Sequence, residues 1–469
     1  MNLHFFNPEI YHTRRSGLAL SIQDGMILLA ANEEVGMNYR DNAYPFRQES
    51  SFLYYCGIER PGIFLLIDSH TGESILIGDD MTMMDIVWTG PALTLNALAD
   101  KSGIDRVISL QEGYQLIGAL ISKKVPIHYL PVYRGDQSFV LGKILQQPPE
   151  QIAQNYSQRL ALEVVKMREI KSPEEIIQLT EAIRTSGNMH KVMMTTAKAG
   201  MTEANIMAGI RAECLRNNVD LPYPIILTIN GQTLHNHSYS NILKEGQLLL
   251  GDFAAESPMH YSGDITRTIP VSPTFSGLQS DIYSLVLAAL KQSIASAKQG
   301  IQYIDIHLNA AKLITEGLIS LGFLSGHPDD LVEQGVHAMF FPHGLGHPLG
   351  LDVHDMEAIG EEYTGYEGEL KRSSQFGLKS LRLAKTLKTG MVLTVEPGIY
   401  FIPELIALWK SENKFKDFIQ YDKIEKVLPF GGIRIEDNVL VQDDHVQVIG
   451  PPIPKEIIEI ELLRSEAYQ

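Results

Sequence analysis

The sequence has only two cysteines in 469 residues, Cys56 and Cys214, and neither belongs to a Cys-x-x-Cys pair or a Cys/His cluster. This excludes a disulfide framework and a thiolate zinc site, and it is typical of a reducing compartment. The sequence also lacks an apolar run of membrane-spanning length, and charges interrupt its first residues where a signal peptide needs a continuous apolar stretch. We therefore expect a cytoplasmic protein with no membrane partner.

Basic charge is scarce as well, since 39 Lys and Arg stand against 56 Asp and Glu and give a formal net charge of −17. No Lys/Arg stripe with interleaved aromatic residues is present, so we expect no nucleic-acid partner. The remaining composition, 44% hydrophobic and 20% charged, is that of an ordinary globular protein. At about 100–200 residues per domain, the length predicts two or three domains.

The first part of the chain alternates short apolar runs with turn signals. Residues 26–31, 62–68 and 74–78 are predicted strands, and residues 93–101 suit a helix, so this part is a mixed α/β unit. The pattern breaks at Gln146-Gln147-Pro148-Pro149, and a helix start signal follows at Ser172-Pro173-Glu174-Glu175. We place the junction between these signals and predict domains 1–155 and 156–469.

A weak internal repeat marks the second part. An apolar-periodic helix is expected to end at the segment 197–201 (AKAGM) and a new helix to begin, and the same pattern occurs at 297–301 (AKQGI). Gly200 and Gly300 are predicted C-cap residues, because glycine tolerates a left-handed backbone. The second domain is then built from two similar α/β halves, unless these are two unrelated helix-turn-helix junctions.

Four carboxylates stand in strand-like contexts in the second part. Asp252 ends the apolar run QLLLGD, and Asp264 follows 12 positions later in YSGDITRT, as in two adjacent strands or a hairpin. Glu396 ends MVLTVE, and Glu436 lies on the polar face of a strand predicted over 433–441 by strict alternation. Between these segments, the glycine-rich stretch 342–355 (PHGLGHPLGLDVHD) carries three histidines.

Burying four carboxylates near one another without cations would cost several kcal/mol for each group. Two divalent ions would remove that cost. Oxygen-rich ligation with one imidazole favours hard or borderline ions such as Mn²⁺, with Co²⁺ or Zn²⁺ as alternatives. The residues therefore predict a site with two divalent metal ions.

These motifs, in this order, resemble the dinuclear-metal signature of the pita-bread peptidases, which are aminopeptidase P, prolidase and methionine aminopeptidase. The contexts are SGDITRT, HGLGHPLGLDVHD, VEPGIY and GIRIEDN, and the resemblance covers residue 172 to the C-terminus. The stretch 44–50 (YPFRQES) further resembles the N-terminal domain of aminopeptidase P and prolidase, which methionine aminopeptidases lack. The resemblance implies a C-terminal pita-bread domain of two similar halves and a smaller mixed α/β N-terminal domain.

The resemblance also implies the metal ligands. Asp252 would bind one ion, His347 and Glu396 the other, and Asp264 and Glu436 would bridge both. Outside the ligands, two residues would hold Asp252 in place, namely Arg434 and Tyr400.

The resemblance implies further roles around the metals. A histidine before the first aspartate contacts the substrate, and His235 fits better than the alternative His237. His354 would stabilise the oxyanion, Glu396 would shuttle the proton, and a proline pocket would lie near His343.

By the same resemblance, a hydroxide that bridges the two ions would attack the Xaa-Pro bond of a small peptide with proline at its second position. The segments 377–382 (GLKSLR) and 429–436 (PFGGIRIE) look more like prolidase, an Xaa-Pro dipeptidase, with Arg382 receiving the substrate carboxylate. Aminopeptidase P, which acts on longer peptides, is the alternative. A non-catalytic pita-bread binding module and a metal-free creatinase-like hydrolase are disfavoured, because all five ligands are present.

A homodimer is also expected from the resemblance, with the N-terminal domain of one subunit over the active site of the other. Trp88 is the candidate for a residue that reaches across. The alternative is a Trp88 that fills the core of its own domain.

Overall fold

The computed structural model describes residues 4–39 and 41–468, and the chain forms two compact units. The first unit comprises Met1–Glu169 and Met356–Thr364, and the second comprises Ile170–Asp355 and Gly365–Gln469. The chain therefore returns once to the first unit before it completes the second. The domain boundary between residues 155 and 156 stays a prediction.

Helices account for much of the described chain. The α-helices are Pro8–Ile22 (α1), Ser50–Cys56 (α2), Met83–Thr89 (α3), Leu95–Ser102 (α4), Leu110–Ser122 (α5), Gly135–Leu145 (α6), Pro149–Ile152 (α7), Gln158–Glu169 (α8), Pro173–Thr196 (α9), Glu203–Arg216 (α10), Gly277–Ser296 (α11), Tyr303–Ser320 (α12), Pro328–Gln334 (α13), Glu361–Thr364 (α14), Pro403–Ser411 (α15), Tyr421–Ile424 (α16) and Ile457–Ala467 (α17). Short 3₁₀ helices are Val336–Met339, Leu378–Ser380 and Glu425–Phe430.

The strands of the described residues are short and fall into four sheets. They are Met26–Ala30 (β1), Phe64–Asp68 (β2), Ser74–Ile77 (β3), Arg106–Ile108 (β4), Ile127–His128 (β5), Ile226–Thr228 (β6), Leu248–Asp252 (β7), Thr266–Pro270 (β8), Val392–Val395 (β9), Gly398–Tyr400 (β10), Gly432–Arg434 (β11), Asp437–Val441 (β12) and Val446–Val448 (β13). The sheet orders are β4-β3-β2-β1-β5, β6-β7-β8, β13-β12-β9 and β10-β11.

The first unit is the mixed α/β unit that the sequence predicts. Its sheet pairs β1 with β2 in antiparallel register and with β5 in parallel register. The apolar side chains of β1 to β3 pack with α5 and α6 in one core. Gln48, from the stretch YPFRQES, is buried, accepts a hydrogen bond from the Asn32 amide at 2.8 Å and donates to the Arg60 carbonyl at 2.8 Å. This stretch therefore fixes two loops of the unit.

The second unit contains two similar helix-pair and sheet arrangements. Helices α9 and α10 accompany the sheet β6-β7-β8, and α11 and α12 accompany β13-β12-β9. The start signal at Ser172 is a capping box with Pro173 in the first turn. The C-cap prediction is wrong in detail, because α9 and α11 are capped by Ala197 and Ala297 in extended conformation. Gly200 and Gly300, with φ of 89° and 84°, lie instead in the turns that follow.

The strand predicted over 433–441 is two strands. β11 ends at Arg434 and β12 begins at Asp437, and the two strands belong to different sheets. The alternation still holds, since Ile433, Ile435, Val439 and Val441 are buried in the apolar core of the second unit. The break occurs where the Glu436 amide donates to the Thr266 carbonyl at 3.0 Å, so Glu436 is tied to β8.

Helix α3 in the first unit buries none of its side chains. Trp88 is 80% exposed, so the alternative of a Trp88 in the core of its own domain is wrong. Among the helices of residues 4–39 and 41–468, none combines the length and apolar character that crossing a bilayer requires.

Candidate metal centre

A hairpin in the first half of the second unit presents two aspartates. Asp252 is the last residue of β7, whose apolar residues Leu248, Leu249 and Leu250 are buried, and Asp264 lies two residues before β8. The antiparallel register places Asp252 opposite Thr266. Both carboxylates therefore lie at one end of the hairpin, as the spacing predicts.

The other three candidate ligands, His347, Glu396 and Glu436, lie next to strand β9. Val395 of β9 pairs with Asp437 of β12. Glu396 follows Val395 in the chain and Glu436 precedes Asp437, so the two glutamates flank the same pair. His347 lies alongside β9, since its amide donates to Thr394 Oγ1 at 3.0 Å and its carbonyl accepts from the Thr394 amide at 3.0 Å.

The five predicted ligands form one continuous cluster. Ligand atoms of Asp264, His347 and Glu436 lie within 4.8 Å of one another. His347 Nε2 is 3.2 Å from Asp264 Oδ2 and 3.6 Å from Glu396 Oε1. Asp252 joins the cluster through a tyrosine hydroxyl, that of Tyr223, which lies 2.8 Å from Asp252 Oδ1 and 2.6 Å from Asp264 Oδ1.

Burial makes this concentration of negative charge costly. Burial raises the pKa of Glu396 to about 7, raises the pKa of Glu436 well above its usual range and raises the pKa of Asp252, which Arg434 opposes. Burial alone would lower the pKa of His347, but the hydrogen bond to Asp264 and the charge of Glu396 raise it. Without cations, the cluster therefore tends to retain protons.

Arg434 connects the cluster to its surroundings through one buried guanidinium. It donates from Nη2 to Asp252 Oδ2 at 2.5 Å, from Nε to Thr266 Oγ1 at 3.1 Å and from Nη1 to the Tyr400 hydroxyl at 2.8 Å. Thr266 in turn donates to Glu436 Oε2 at 2.7 Å. The Arg434 guanidinium therefore orients two of the predicted ligands, Asp252 directly and Glu436 through Thr266.

The donor set fits divalent metal ions. Four carboxylates and one imidazole are the ligands that hard or borderline ions such as Mn²⁺ accept. Within residues 4–39 and 41–468, Glu436 Oε1 is buried and has no hydrogen-bond partner. Such an orphaned buried acceptor needs an explanation, and an ion at this position provides one.

The other predicted site residues surround the cluster. The ring of His354 lies 4.3 Å from the ring of His347. His343 accepts a hydrogen bond at Nε2 from the Tyr400 hydroxyl at 2.8 Å, and burial lowers its pKa to about 3. Burial also lowers the pKa of His235. The charge of Asp252 raises this pKa, and the charge of Arg382 lowers it. The structure therefore places His343, His354, Tyr400 and Arg434 around the predicted ligands, whereas His235 and Arg382 are related to them through charge.

Two polar residues of the site were not predicted from the sequence. Thr266 stands in the SGDITRT motif two positions after Asp264, so alternation could have placed it on the same side. Tyr223 lies in Leu221-Pro222-Tyr223-Pro224, far from the other motifs in the sequence, and no spacing signal links it to them.

Comparison with protein families agrees with this site. Residues 178–443 match the model of metallopeptidase family M24, and residues 11–128 match the aminopeptidase P N-terminal domain. The Xaa-Pro aminopeptidase of Escherichia coli K12 is 30% identical over 97% of this chain and 98% of its own length. The human Xaa-Pro dipeptidase is 29% identical over 94% of this chain and 89% of its own length.

Solved structures give the same result for the fold. The low-pH form of E. coli aminopeptidase P aligns over 99% of this chain and 100% of that chain, with a TM-score of 0.82 and 28% identity. The complex of the same enzyme with the inhibitor Pro-Leu aligns with a TM-score of 0.80 and 27% identity. The pita-bread fold, the two-domain family resemblance and the prediction of a metal-dependent hydrolase are confirmed. The chain belongs to metallopeptidase family M24 and carries the N-terminal domain of aminopeptidase P.

Proposed function

We propose that this chain is a metal-dependent exopeptidase that hydrolyses the Xaa-Pro bond of peptides with proline at the second position. The observation that supports this most is the convergence of four carboxylates and one imidazole in one buried cluster. The names of the relatives agree with it, since they are Xaa-Pro aminopeptidases and an Xaa-Pro dipeptidase.

The proposed cofactor is a pair of divalent ions, with Mn²⁺ as the ion and Co²⁺ or Zn²⁺ as alternatives. Asp252 would bind one ion, His347 and Glu396 the other, and Asp264 and Glu436 both. When bound, such a pair lowers the pKa of water and polarises the scissile carbonyl.

The side chains around the cluster have roles that follow from their positions. His354, beside His347, would stabilise the charge that develops on the carbonyl oxygen. Glu396, whose Oε1 lies 3.6 Å from His347 Nε2 in the cluster, would pass a proton to the leaving nitrogen. His235 would contact the substrate, and His343 would border the proline pocket, held by Tyr400.

Substrate length separates two forms of this activity. The first is a dipeptidase, in which the Arg382 guanidinium binds the substrate's C-terminal carboxylate bidentately. The second is an aminopeptidase that takes longer peptides, and the E. coli and human relatives favour the two forms to the same degree. We retain the dipeptidase as the proposal because of Arg382.

A homodimer in the cytoplasm completes the proposal. Helix α3 supports the dimer, because Met83, Met84, Val87 and Trp88 are 73%, 64%, 69% and 80% exposed. A second subunit would remove this apolar surface from water. Light scattering should report a dimer at assay concentration, and a monomer there would contradict this part of the proposal.

The activity is tested with purified protein after exhaustive chelation and addition of Mn²⁺. Chelation should abolish hydrolysis of an Xaa-Pro dipeptide, and Mn²⁺ should restore it. Glu436→Gln should lose both metal and activity, whereas Tyr400→Phe should keep its metal and lose activity in part. Full activity without metal, or equal metal content in wild type and Glu436→Gln, would refute the dinuclear site. An Xaa-Pro-Yaa tripeptide assayed beside the dipeptide decides between the two forms.

A further inference from the structure

The loop that carries His235 runs from Ile229 to Asn241 without regular secondary structure. Its two ends are joined by the carboxylate of Glu203, which is fully buried. Glu203 Oε1 accepts from the Ile229 amide at 2.8 Å, and both carboxylate oxygens accept from Asn241 Nδ2 at 3.1 Å. Charge-assisted hydrogen bonds of this kind are about twice as strong as neutral ones, so the loop is closed at a fixed point.

The middle of the loop is held by Asn236. Its Oδ1 accepts from the Leu227 amide at 3.0 Å, and its Nδ2 donates to the Leu227 carbonyl at 3.1 Å and to the Ser238 carbonyl at 2.9 Å. Leu227 belongs to β6, which is the edge strand of the sheet β6-β7-β8. The carboxamide therefore pairs with the free edge of β6 as the peptide group of a further strand would.

This pairing ties the loop to the strand that ends in a proposed ligand. Ile226 is the register partner of Asp252, and Leu227 is the partner of Gly251. His235 precedes Asn236 in the chain, and the charges of Asp252, Arg434 and Arg382 act on it. Within residues 4–39 and 41–468, no hydrogen bond holds the imidazole of His235 itself. Its position therefore depends on the loop backbone, and Asn236 is the anchor next to it in the chain.

We propose that Asn236 is a positioning residue that holds His235 over the metal cluster by pairing with the edge of β6. This rests on the proposed function, in which His235 contacts the substrate. An alanine at position 236 would leave both polar groups of Leu227 to water and release the segment around His235, whereas Tyr239 would still donate to the Ile225 carbonyl and accept from the Ala204 amide. His235 would then be in the productive position for only part of the time, and turnover would fall in proportion.

The test is a double-mutant cycle in the full-length, Mn²⁺-loaded protein, with kcat and KM measured for an Xaa-Pro peptide. Asn236→Ala should lower kcat/KM by about tenfold, on the scale of one lost positioning contact. Asn236→Ala should change the same kinetic parameter, kcat or KM, that His235→Ala changes. In the double variant, Asn236→Ala should cause no further loss. Ser240→Ala, an exposed polar residue of the same loop, is the matched control and should behave as wild type.

Each other outcome has a defined meaning. Wild-type kinetics of Asn236→Ala, or a full additional loss in the double variant, would overturn the positioning role. Unchanged kinetics of His235→Ala would instead overturn the assignment of His235 in the proposed function. If Asn236→Ala does not fold, Asn236→Asp serves in the same cycle, because it keeps an acceptor for the Leu227 amide and loses the donor to the Leu227 carbonyl.

Discussion

The hydroxyl of Thr266 is predicted to control metal affinity although it is not a ligand. It is fully buried, donates to Glu436 Oε2 at 2.7 Å and accepts from Arg434 Nε at 3.1 Å. Thr266→Val would replace the hydroxyl by a methyl group and leave the carboxylate and the guanidinium each without one partner. A hydrogen bond to a charged group contributes about 1.5–3 kcal/mol. Since 1.36 kcal/mol is a factor of ten, the affinity for Mn²⁺ should fall by roughly ten- to a hundredfold.

The measurement is calorimetric titration of the chelated protein with Mn²⁺. Thr268→Val is the matched control, because Thr268 is equally buried in β8. Its hydroxyl bonds the backbone of Arg434, donating to the carbonyl at 3.0 Å and accepting from the amide at 3.2 Å. Both variants should lose some stability, and only Thr266→Val should lose affinity. Equal affinity in the two variants would show that the hydroxyl does not act through Glu436.

Three further predictions concern specificity, stability and pH. Arg382→Ala should lower kcat/KM for an Xaa-Pro dipeptide by roughly ten- to a hundredfold and leave the C-terminally amidated form almost unaffected, whereas equal wild-type activity on both forms would select the aminopeptidase. Lys171→Met should lower the free energy of unfolding in urea by about 3–5 kcal/mol, because it breaks an ion pair of 2.8 Å with Asp355 in which both side chains are at most 2% exposed. Lys410→Met, at a 40% exposed side chain, should cost far less, and similar losses in the two variants would contradict the argument. Burial lowers the pKa of His307 to about 3, below about 6.5 in the unfolded chain, so its contribution to stability should be lost as the pH falls from about 6.5 toward 3. His307→Leu should therefore flatten the pH dependence of the unfolding free energy between about pH 6.5 and 5, and an unchanged slope would refute this.

The fold was predictable wherever a local signal determined the element. The strands at 26–31 and 74–78 and the helix after Ser172 are present within one or two residues, because apolar runs, turn signals and helix caps act over a few positions. The break between β11 and β12 was not predictable, since alternation continues through it. It depends on the bond from the Glu436 amide to Thr266, a contact between distant parts of the chain.

The candidate site also contains residues that local sequence motifs indicate and residues that depend on tertiary contacts. Its carboxylates and histidines carry motif contexts, and the structure brings together the residues that these contexts indicate. Their catalytic roles stay predictions. The roles of Tyr223 and Asn236 were not predictable, although Asn236 is next to His235 in the sequence, because each acts through a hydrogen bond that only the folded chain forms. Sequence patterns indicate which groups a site uses, whereas the groups that orient them depend on tertiary packing.

The return of the chain to the first unit constrains how this protein can be divided or recombined. Met356–Thr364 belongs to the N-terminal unit, and it begins two residues after His354. A gene fragment that starts at Ile170 would encode this segment without the helix α8 against which α14 packs. The exchange of N-terminal units between family members would likewise require two matched segments instead of one crossover. Substitutions in 356–364 therefore have to preserve the packing of α14 on α8, although this segment is encoded between two parts of the second unit.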